Sequence, residues 1–342
     1  MSAEALAPKR PVTIAFFNNK GGVGKTTLVY HLSWMMSALG YKVLAVDLDP
    51  QANLTSAFLD EDYMQHVWTR KDGTLLGALQ PLIDHLGDMQ GAMVWGVGDF
   101  DEEGPRIGLL AGDLGLSAFE DRLAEAWSAC LDENRAKRHD AFRVVTAFYR
   151  MIVDAATANQ AEVALIDVGP NLGALNRAAL VAADYVVIPM GADLFSLRGL
   201  ANLGPVLRTW REGWRRRLEQ DHPDLPMPAG TMTPIGYVLQ PAGREHSPSQ
   251  AFQYWISKFP EEYSRSVLGQ SQVGNREEYL LGTLKNYMSL VPLSQKARKP
   301  VFALRAADGA LGSHAVAAKA SFAEFEALAR RIATACGLPA PT

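Results

Sequence analysis

A glycine-rich loop between a predicted strand and a predicted helix constrains this chain more than any other feature. Its eight residues read Asn19-Lys20-Gly21-Gly22-Val23-Gly24-Lys25-Thr26. Apolar residues over 12–17 predict a buried strand before the loop. After it, apolar residues recur at helical spacing over 28–39, and Gly40 predicts the helix end. Strand, loop and helix in this order are the setting of a phosphate-binding loop in an α/β protein.

The loop is a variant of the common phosphate-binding pattern, which is Gly, four residues, then Gly-Lys-Ser/Thr. Asn19 stands where the first glycine is expected, while Gly24, Lys25 and Thr26 match. Glycines let successive backbone N–H groups point at phosphate oxygens, and Lys25 supplies positive charge for the β- and γ-phosphates. Thr26 offers its hydroxyl to Mg²⁺ near the positive end of the helix dipole.

The second lysine of the loop, Lys20, cannot be assigned by spacing. The run over 20–27 resembles the deviant Walker A box of the ParA/MinD ATPases, and in particular the ParA-like partition ATPases. The resemblance implies ATP and Mg²⁺ as ligands and ATP-dependent homodimers in which Lys20 reaches the partner's nucleotide. The residues predicted to bind nucleotide are Lys20, Gly21, Gly22, Val23, Gly24, Lys25, Thr26, Thr27 and Gln240.

Carboxylates follow two further apolar runs. Asp47 and Asp49 end the run that starts at residue 42, and Asp167 ends the run over 162–167. Polar strand ends build the ligand sites of open α/β sheets, and an apolar strand ending in Asp is typical of a Mg²⁺ site. The resemblance assigns Asp49 to orienting the attacking water, as a catalytic residue beside Lys20 and Lys25. It assigns Asp47 and Asp167, with Thr26, to the Mg²⁺ shell. Alternatively, Asp47 or Asp49 caps the next turn.

The remaining pattern predicts the fold class. Apolar runs over 184–189 and 234–240 continue the alternation of strands and helices, which predicts a doubly wound, mostly parallel sheet with helices on both faces. We predict a flexible tail over 1–10 and a single P-loop ATPase domain over 11–336. The interval between Asp49 and Asp167 is long for compact members of the family, so an insertion is predicted within 60–150. The segment from Asp167 to Leu172 is similar to the family's Asp-x-Pro-Pro-x-Leu switch, but Gly169 stands in the place of its first proline.

Composition excludes several classes of protein. The net charge of −4 over 342 residues excludes a chain that is basic throughout, so contact with nucleic acid requires a local patch. The two cysteines, Cys130 and Cys336, are far apart and form no Cys-x-x-Cys pair, which disfavours disulfides, a zinc site and a nitrogenase-reductase-like iron–sulfur cluster. These features predict a cytoplasmic protein.

Two basic clusters suggest binding to a phosphate backbone. One follows the helical spacing of 200–218, and the other lies within 279–307, which contains no Asp or Glu. By resemblance, ATP-bound dimers bind nonspecific DNA through such late basic residues, which would place the protein on the nucleoid. The predicted DNA contacts are Arg208, Arg211, Arg215, Lys296, Arg298 and Lys299. Alternatively, the arginines form a solvated helix face. The family's late arginine pair followed by Leu-Ser-Glu-Ala-Pro is absent, although residues 298–301 resemble its Gly-Lys-Pro-Val/Ile stretch.

The resemblance implies partition or positioning of a plasmid, chromosome or other cargo, with slow, Mg²⁺-dependent ATP hydrolysis stimulated by a partner protein. The alternative is a nucleotide-gated regulatory ATPase that controls an associated protein complex. A MinD-like membrane helix requires a basic face, but Glu324 and Glu326 accompany Arg330 and Arg331 over 321–336. We therefore predict that this helix docks on the sheet and that the protein has no membrane partner.

Overall fold

The computed structural model describes residues 10–98, 107–240, 250–270, 278–285, 287 and 289–341. The prediction of a flexible tail falls outside these ranges except at Arg10, whose guanidinium pairs with the Asp184 carboxylate at 2.9 Å. Residues 99–106 of the predicted insertion also lie outside them.

Eight strands form one sheet: β1 Val12–Phe16, β2 Val43–Asp47, β3 Val94–Val97, β4 Ile107–Leu110, β5 Val163–Asp167, β6 Tyr185–Gly191, β7 Thr233–Gln240 and β8 Leu280–Thr283. The helices in the first half are α1 Lys25–Ala38, α2 Asn53–Phe58, α3 Glu61–Thr69, α4 Leu75–Ile83, α5 Phe119–Ala129, α6 Arg135–Val145 and α7 Ala147–Ala158. The later helices are α8 Ala174–Val181, α9 Leu194–Leu218, α10 Gln250–Glu262, α11 Val291–Ala297 and α12 Ser313–Ala335.

The strand order is β3-β4-β2-β5-β1-β6-β7-β8, and only β3 runs antiparallel to its neighbour. This confirms the predicted doubly wound, mostly parallel α/β fold. Because β1, β2, β5, β6 and β7 are parallel, their carboxyl ends meet along one edge, where α/β proteins build ligand sites. In the register of β2 and β5, Asp47 lies directly beside Asp167.

Two apolar cores cover the two faces of the sheet. Successive strand residues alternate between them, so that Ala15 of β1 faces one core while Ile14 and Phe16 face the other. Helices α5, α7, α8 and α9 pack on the face of Ala15. Helices α1, α11 and α12 pack on the opposite face. Burial on both faces explains why the central strands read as continuous apolar runs.

The region over 60–150 contributes to both the sheet and its covering layers. Strand β4 pairs with β2 in parallel, and β3 extends the sheet edge. Helix α5 also contacts the segment after β5: the Glu120 carboxylate accepts hydrogen bonds from the amides of Ala174 and Leu175 at 2.5 and 2.8 Å. An acidic group is favourable there because it meets the free N–H groups at the start of α8.

Helix α12 buries Phe325, Leu328 and Ile332 in the core that also contains α1. Its apolar side therefore packs on the protein, as the sequence predicts. Among the described residues, no helix is long and apolar enough to cross a membrane.

Candidate functional site: a phosphate-binding loop and three carboxylates

The loop after β1 has the backbone shape of a phosphate cradle. Gly24 precedes α1 with a φ of 73°, a left-handed conformation that favours glycine. A side chain at Gly24 would also collide with Gln240 at the end of β7. Asn18 fixes the start of the loop, because its Nδ2 donates to the Pro189 carbonyl at 2.7 Å and its Oδ1 accepts from the Lys20 amide at 2.9 Å.

Lys25, the first residue of α1, is buried with 7% of its surface exposed. Burial lowers the pKa of its ammonium group, and the negative charges of Asp167 and Asp49 partly oppose that change. Its Nζ donates only a long bond, 3.4 Å, to the Lys20 carbonyl. The charge of Lys25 thus lies in the loop with weak compensation, as suits a group that binds an anion.

Asp167, the last residue of β5, is fully buried. Neither of its carboxylate oxygens has a partner within ordinary hydrogen-bond geometry among the described residues, although the Thr26 hydroxyl is near enough to lower its pKa somewhat. Burial, and then the neighbouring charge of Asp47, raise the pKa well above its usual value. An unpaired buried carboxylate is costly, and a bound cation removes that cost.

Asp47 is also fully buried, but its oxygens are occupied. Its Oδ2 accepts hydrogen bonds from the Thr55 amide and the Thr55 hydroxyl, both at 2.7 Å, and its Oδ1 accepts from the Asp49 amide at 3.3 Å. Burial raises the pKa of Asp47 to about 7, against the effect of these bonds. Asp47 thus holds the turn that carries Asp49, in part the capping role that the sequence leaves open.

Asp49 lies two residues beyond the end of β2 and is 5% exposed. Its Oδ1 accepts a hydrogen bond from the Gln51 amide at 3.0 Å, which fixes the carboxylate beside the loop. Unlike Asp47 and Asp167, Asp49 lines the open cleft, where it shares the wall with Gly21, Lys25 and Thr26. The structure therefore places one carboxylate at the surface of the cleft and two behind it.

The cleft has a volume of about 710 Å³ and contains most of the predicted nucleotide-binding residues, namely Gly21, Gly22, Gly24, Lys25, Thr26 and Thr27. An adjoining cavity of about 210 Å³ is lined by Lys20, Val23 and Gln240, with Leu284 and Phe325 on its apolar side. A polar cleft that continues into a partly apolar cavity suits a ligand with a charged chain and an aromatic base.

Lys20 forms an ion pair within its own chain. Its Nζ lies 2.6 Å from Asp193 Oδ2 and 3.4 Å from the Ser196 hydroxyl. Asp193 also caps α9, since its Oδ1 accepts from the Ser196 amide at 2.9 Å. Burial raises the pKa of Asp193, but the bonds from Lys20 and Ser196 outweigh burial and hold it below its usual value. Sequence reasoning identified Lys20 but not this partner.

Sequence reasoning also missed His31, which lies one turn beyond Thr27 in α1. Its Nδ1 lies 2.6 Å from the Thr27 carbonyl, and its Nε2 accepts a hydrogen bond from the Val301 amide at 3.1 Å. Burial lowers the pKa of His31 to about 4, so the ring is neutral at physiological pH. The sequence signal that could have indicated His31 is its position four residues after Thr27, which places the two residues on the same side of the predicted helix. His31 joins α1 to the segment after α11.

The side chains at this edge could supply part of the coordination shell of Mg²⁺. Within the described part of the chain, no group of three or more His, Cys, Asp or Glu side chains is placed to hold a metal by itself. Mg²⁺ typically takes one or two carboxylates and completes its shell with waters and substrate phosphates. The unpaired Asp167 and the nearby Thr26 hydroxyl fit that pattern, whereas Asp47 would have to exchange existing hydrogen bonds.

The predicted DNA contacts on α9 have unequal surroundings. Arg208 donates to the Ser266 carbonyl at 2.5 Å, and Arg211 donates to the Met232 carbonyl at 2.8 Å. Arg217 is buried and donates to the Trp127 and Gly213 carbonyls, both at 2.7 Å. Arg215, in contrast, is exposed. Much of the basic pattern in this helix therefore holds α9 to its neighbours.

The second basic cluster is divided as well. Lys299 pairs with Asp308 at 2.9 Å, and Lys296 is exposed. Arg298 lines the phosphate-loop cleft. Since α9 and α11 pack on opposite faces of the sheet, the two clusters do not form one continuous patch.

Comparison with known proteins gives a consistent result. The family model described as an AAA domain matches residues 12–220. The chain is 31% identical over 205 residues to the chromosome-partitioning ATPase Soj of Thermus thermophilus, covering 60% of this chain and 65% of Soj. It is 31% identical over 213 residues to the chromosome partitioning protein ParA of Caulobacter vibrioides, covering 62% of this chain and 67% of ParA. The match spans 62%, 65% and 46% of the first three curated relatives.

Solved structures share the fold over nearly the whole chain. Protein DIP2308 from Corynebacterium diphtheriae superposes with a TM-score of 0.65 at 24% identity, covering 95% of this chain and 98% of that one. McdA from Cyanothece in an ATP complex gives 0.61 at 16%, covering 97% and 98%. A putative plasmid partition protein from Borrelia burgdorferi bound to AMPPNP gives 0.55 at 17%, covering 95% and 99%. At these identities the likeness concerns the fold.

Proposed function

Because the chain belongs to the ParA/MinD-type P-loop ATPases, we propose that it is a Mg²⁺-dependent ATPase that uses ATP to control its own dimerisation. The observation that carries the proposal is the fully buried, unpaired carboxylate of Asp167 behind a cleft that holds Lys25 and Thr26. This arrangement leaves an anion site and a cation site side by side, which suits a magnesium nucleotide.

The residues divide the chemistry among them. The loop amides over 21–27 and Lys25 hold the phosphates, while Thr26 and Asp167 hold Mg²⁺ with Asp47 behind them. When bound, Mg²⁺ neutralises phosphate charge and orients the β- and γ-phosphates. Asp49, at the cleft surface, orients the attacking water. Gln240 and the adjoining cavity hold the base side of the nucleotide.

Lys20 completes the site of a second copy in this proposal. In the single chain its ammonium group is engaged by Asp193 at 2.6 Å, so a role in the partner's site requires that ion pair to exchange for nucleotide phosphate. The pair is partly exposed, with 33% and 25% of the two side chains accessible. Exposed ion pairs contribute little free energy, about 0–1 kcal/mol, so exchange is feasible.

We further propose that the ATP-bound dimer binds nonspecific DNA and serves partition or positioning of a cargo, with a partner protein that stimulates slow hydrolysis. This is supported by relatives named as a chromosome-partitioning ATPase and a chromosome partitioning protein, and by a putative plasmid partition protein of the same fold. Exposed Arg215 and Lys296 are the best placed of the predicted contacts. The predicted location is the cytoplasm, on the nucleoid when DNA is bound.

A second candidate is a nucleotide-gated regulator of a protein complex. It is favoured by the contacts that predicted DNA-binding residues make within the chain. Arg208 and Arg211 donate to carbonyl oxygens, and Lys299 pairs with a carboxylate. The region over 60–150, whose Glu120 holds the start of α8, would then carry partner contacts.

The two candidates differ in their DNA binding. We expect the Asp49→Ala variant, slowed in hydrolysis, to form ATP-dependent dimers that are retained on random duplex DNA at low salt and released as salt rises. ADP should give no retention. Dimers without any DNA retention would favour the regulatory function, and absence of nucleotide binding by the wild-type chain would contradict both.

A further inference from the structure

Arg298 adopts a backbone conformation that arginine rarely takes. It ends α11 with φ 50° and ψ 39°, in the left-handed region that costs a residue with a side chain free energy and that glycine occupies without strain. Its amide donates to the Gln295 carbonyl at 3.3 Å, which closes the end of the helix. A strained residue persists only where its surroundings fix it, and such residues cluster at functional sites.

The surroundings of Arg298 fix its backbone at several points. The Ser294 hydroxyl donates to the Lys299 carbonyl at 2.6 Å, and Lys299 Nζ pairs with Asp308 at 2.9 Å. Two residues further on, the Val301 amide donates to His31 in α1. The turn that holds Arg298 is therefore tied directly to α1, one helical turn from Thr27.

The side chain of Arg298 lines the cleft, and its Nε has no partner among the described residues. It lines the same cleft as Lys25, Thr26 and Asp49, close enough to Tyr30 for its charge to affect that hydroxyl. Its Nε is buried and makes no hydrogen bond among the described residues. A buried N–H donor without a partner costs free energy, and an anion bound by the guanidinium would remove that cost.

We propose that Arg298 is a nucleotide-binding residue that contacts the phosphate chain, a contact additional to Lys25 and the loop amides. This proposal rests on the proposed function, because it requires nucleotide in the cleft. Guanidinium groups bind phosphate oxygens through two parallel N–H donors, which matches a fixed arginine better than a mobile lysine. Arg298 is thereby moved from the predicted DNA contacts to the nucleotide site.

The informative variant is Arg298→Gly, because glycine removes the guanidinium and also relieves the left-handed strain. We expect the affinity for ADP and for non-hydrolysable ATP, measured by titration calorimetry with Mg²⁺, to fall roughly tenfold or more. The melting temperature of the nucleotide-free protein should stay equal or rise. Arg298→Lys keeps the charge but not the two-donor geometry and should recover only part of the affinity.

Lys319→Ala is the matched control, because it removes one positive charge from exposed surface on α12, outside the residues proposed to bind nucleotide or DNA. Its nucleotide affinity should equal that of the wild type. The proposal is overturned if Arg298→Gly binds both nucleotides as tightly as the wild type, and equally if its only effect is weaker retention on DNA. If the wild type binds no nucleotide, the proposed function itself fails.

Discussion

The carboxyl edge of the sheet and helix α9 both concentrate charged side chains, but these side chains differ in whether they have partners within the chain. At the edge, Asp167 is fully buried with neither oxygen paired, and Lys25 is buried with one long bond. Along α9, the buried Arg217 donates to two carbonyl oxygens and lies over the Trp127 ring at 3.8 Å. The edge is unsatisfied without a ligand, whereas much of the charge on α9 is satisfied within the chain.

A run of charged residues in a sequence can therefore indicate either a ligand site or a set of structural contacts. A buried group without a partner lowers the stability of the free protein and gains most from a ligand. An arginine that binds carbonyls contributes to packing through its long side chain as well as its charge. Arg208 and Arg211 are arginines of this carbonyl-bound kind, although by helical spacing they share a ridge with the exposed Arg215.

The largest effect is expected from Lys25→Ala. Removing the buried ammonium group should weaken ATP and ADP binding by roughly a hundredfold or more, since charge-assisted bonds to phosphate are lost from a site shielded from water. Titration calorimetry measures this directly. Binding within a few-fold of wild type would show that the edge does not depend on its buried charge.

Asp167→Asn should separate stability from binding. In the nucleotide-free protein the raised pKa of Asp167, together with the pKa of about 7 for Asp47, means that the folded state holds protons the unfolded state has released. The stability that these two protonated carboxyl groups contribute is therefore present at acid pH and is lost as pH rises from about 4 through 7. The asparagine variant should be more stable at pH 8, by roughly 1–3 kcal/mol, and should lose Mg²⁺-dependent nucleotide binding.

Chemical unfolding at pH 6 and pH 8 checks the first part, and nucleotide titrations with and without Mg²⁺ check the second. A variant that is less stable than wild type at pH 8 would contradict the description of Asp167 as an unsatisfied charge. Glu120→Gln is a suitable control, because that partly exposed carboxylate already accepts two amide bonds.

On α9, removing a buried charged side chain should have the opposite effect on stability. Arg217→Ala removes a buried side chain with two carbonyl bonds and should destabilise the fold by about 2 kcal/mol. Arg215→Ala, at an exposed position two residues earlier, should change stability by less than about 0.5 kcal/mol. Urea unfolding of both variants tests the contrast. Equal losses would remove the distinction between structural and free arginines.

The smallest expected effect concerns DNA. If Arg215 contacts a phosphate, Arg215→Ala should weaken retention of the ATP-bound dimer modestly and reduce the slope of log affinity against log salt by about 1 for each arginine that meets a phosphate. Compared with Arg215→Ala, Arg208→Ala should change the free energy of unfolding more and the salt slope less. The opposite ranking of the two variants would assign DNA binding to the carbonyl-bound arginines.

Sequence reasoning predicted the edge better than its surroundings. Parallel strands place their polar ends together, so Asp47, Asp49 and Asp167 could be assigned to one edge from their order alone. The partner of Lys20 could not be predicted, because Asp193 is 173 residues away and the pair depends on side-chain rotamers.

The same limit applies to the late basic residues. Helical spacing predicts that Arg208 and Arg211 share a ridge, but not that carbonyls from residues 266 and 232 meet them. For Arg298 a signal existed, since it stands where the resembling stretch has glycine. Only the structure shows that Arg298 has a left-handed backbone and lines the cleft.

ATP-controlled dimerisation is tested by the mass of the protein in solution with ATP and Mg²⁺, measured by light scattering for Asp49→Ala alone and combined with Lys20→Ala. Asp49→Ala should form dimers with ATP and stay monomeric with ADP. If Lys20 acts on the partner's site, the double variant should remain monomeric while binding nucleotide nearly as well. A double variant that dimerises normally would contradict a role for Lys20 in the partner's site.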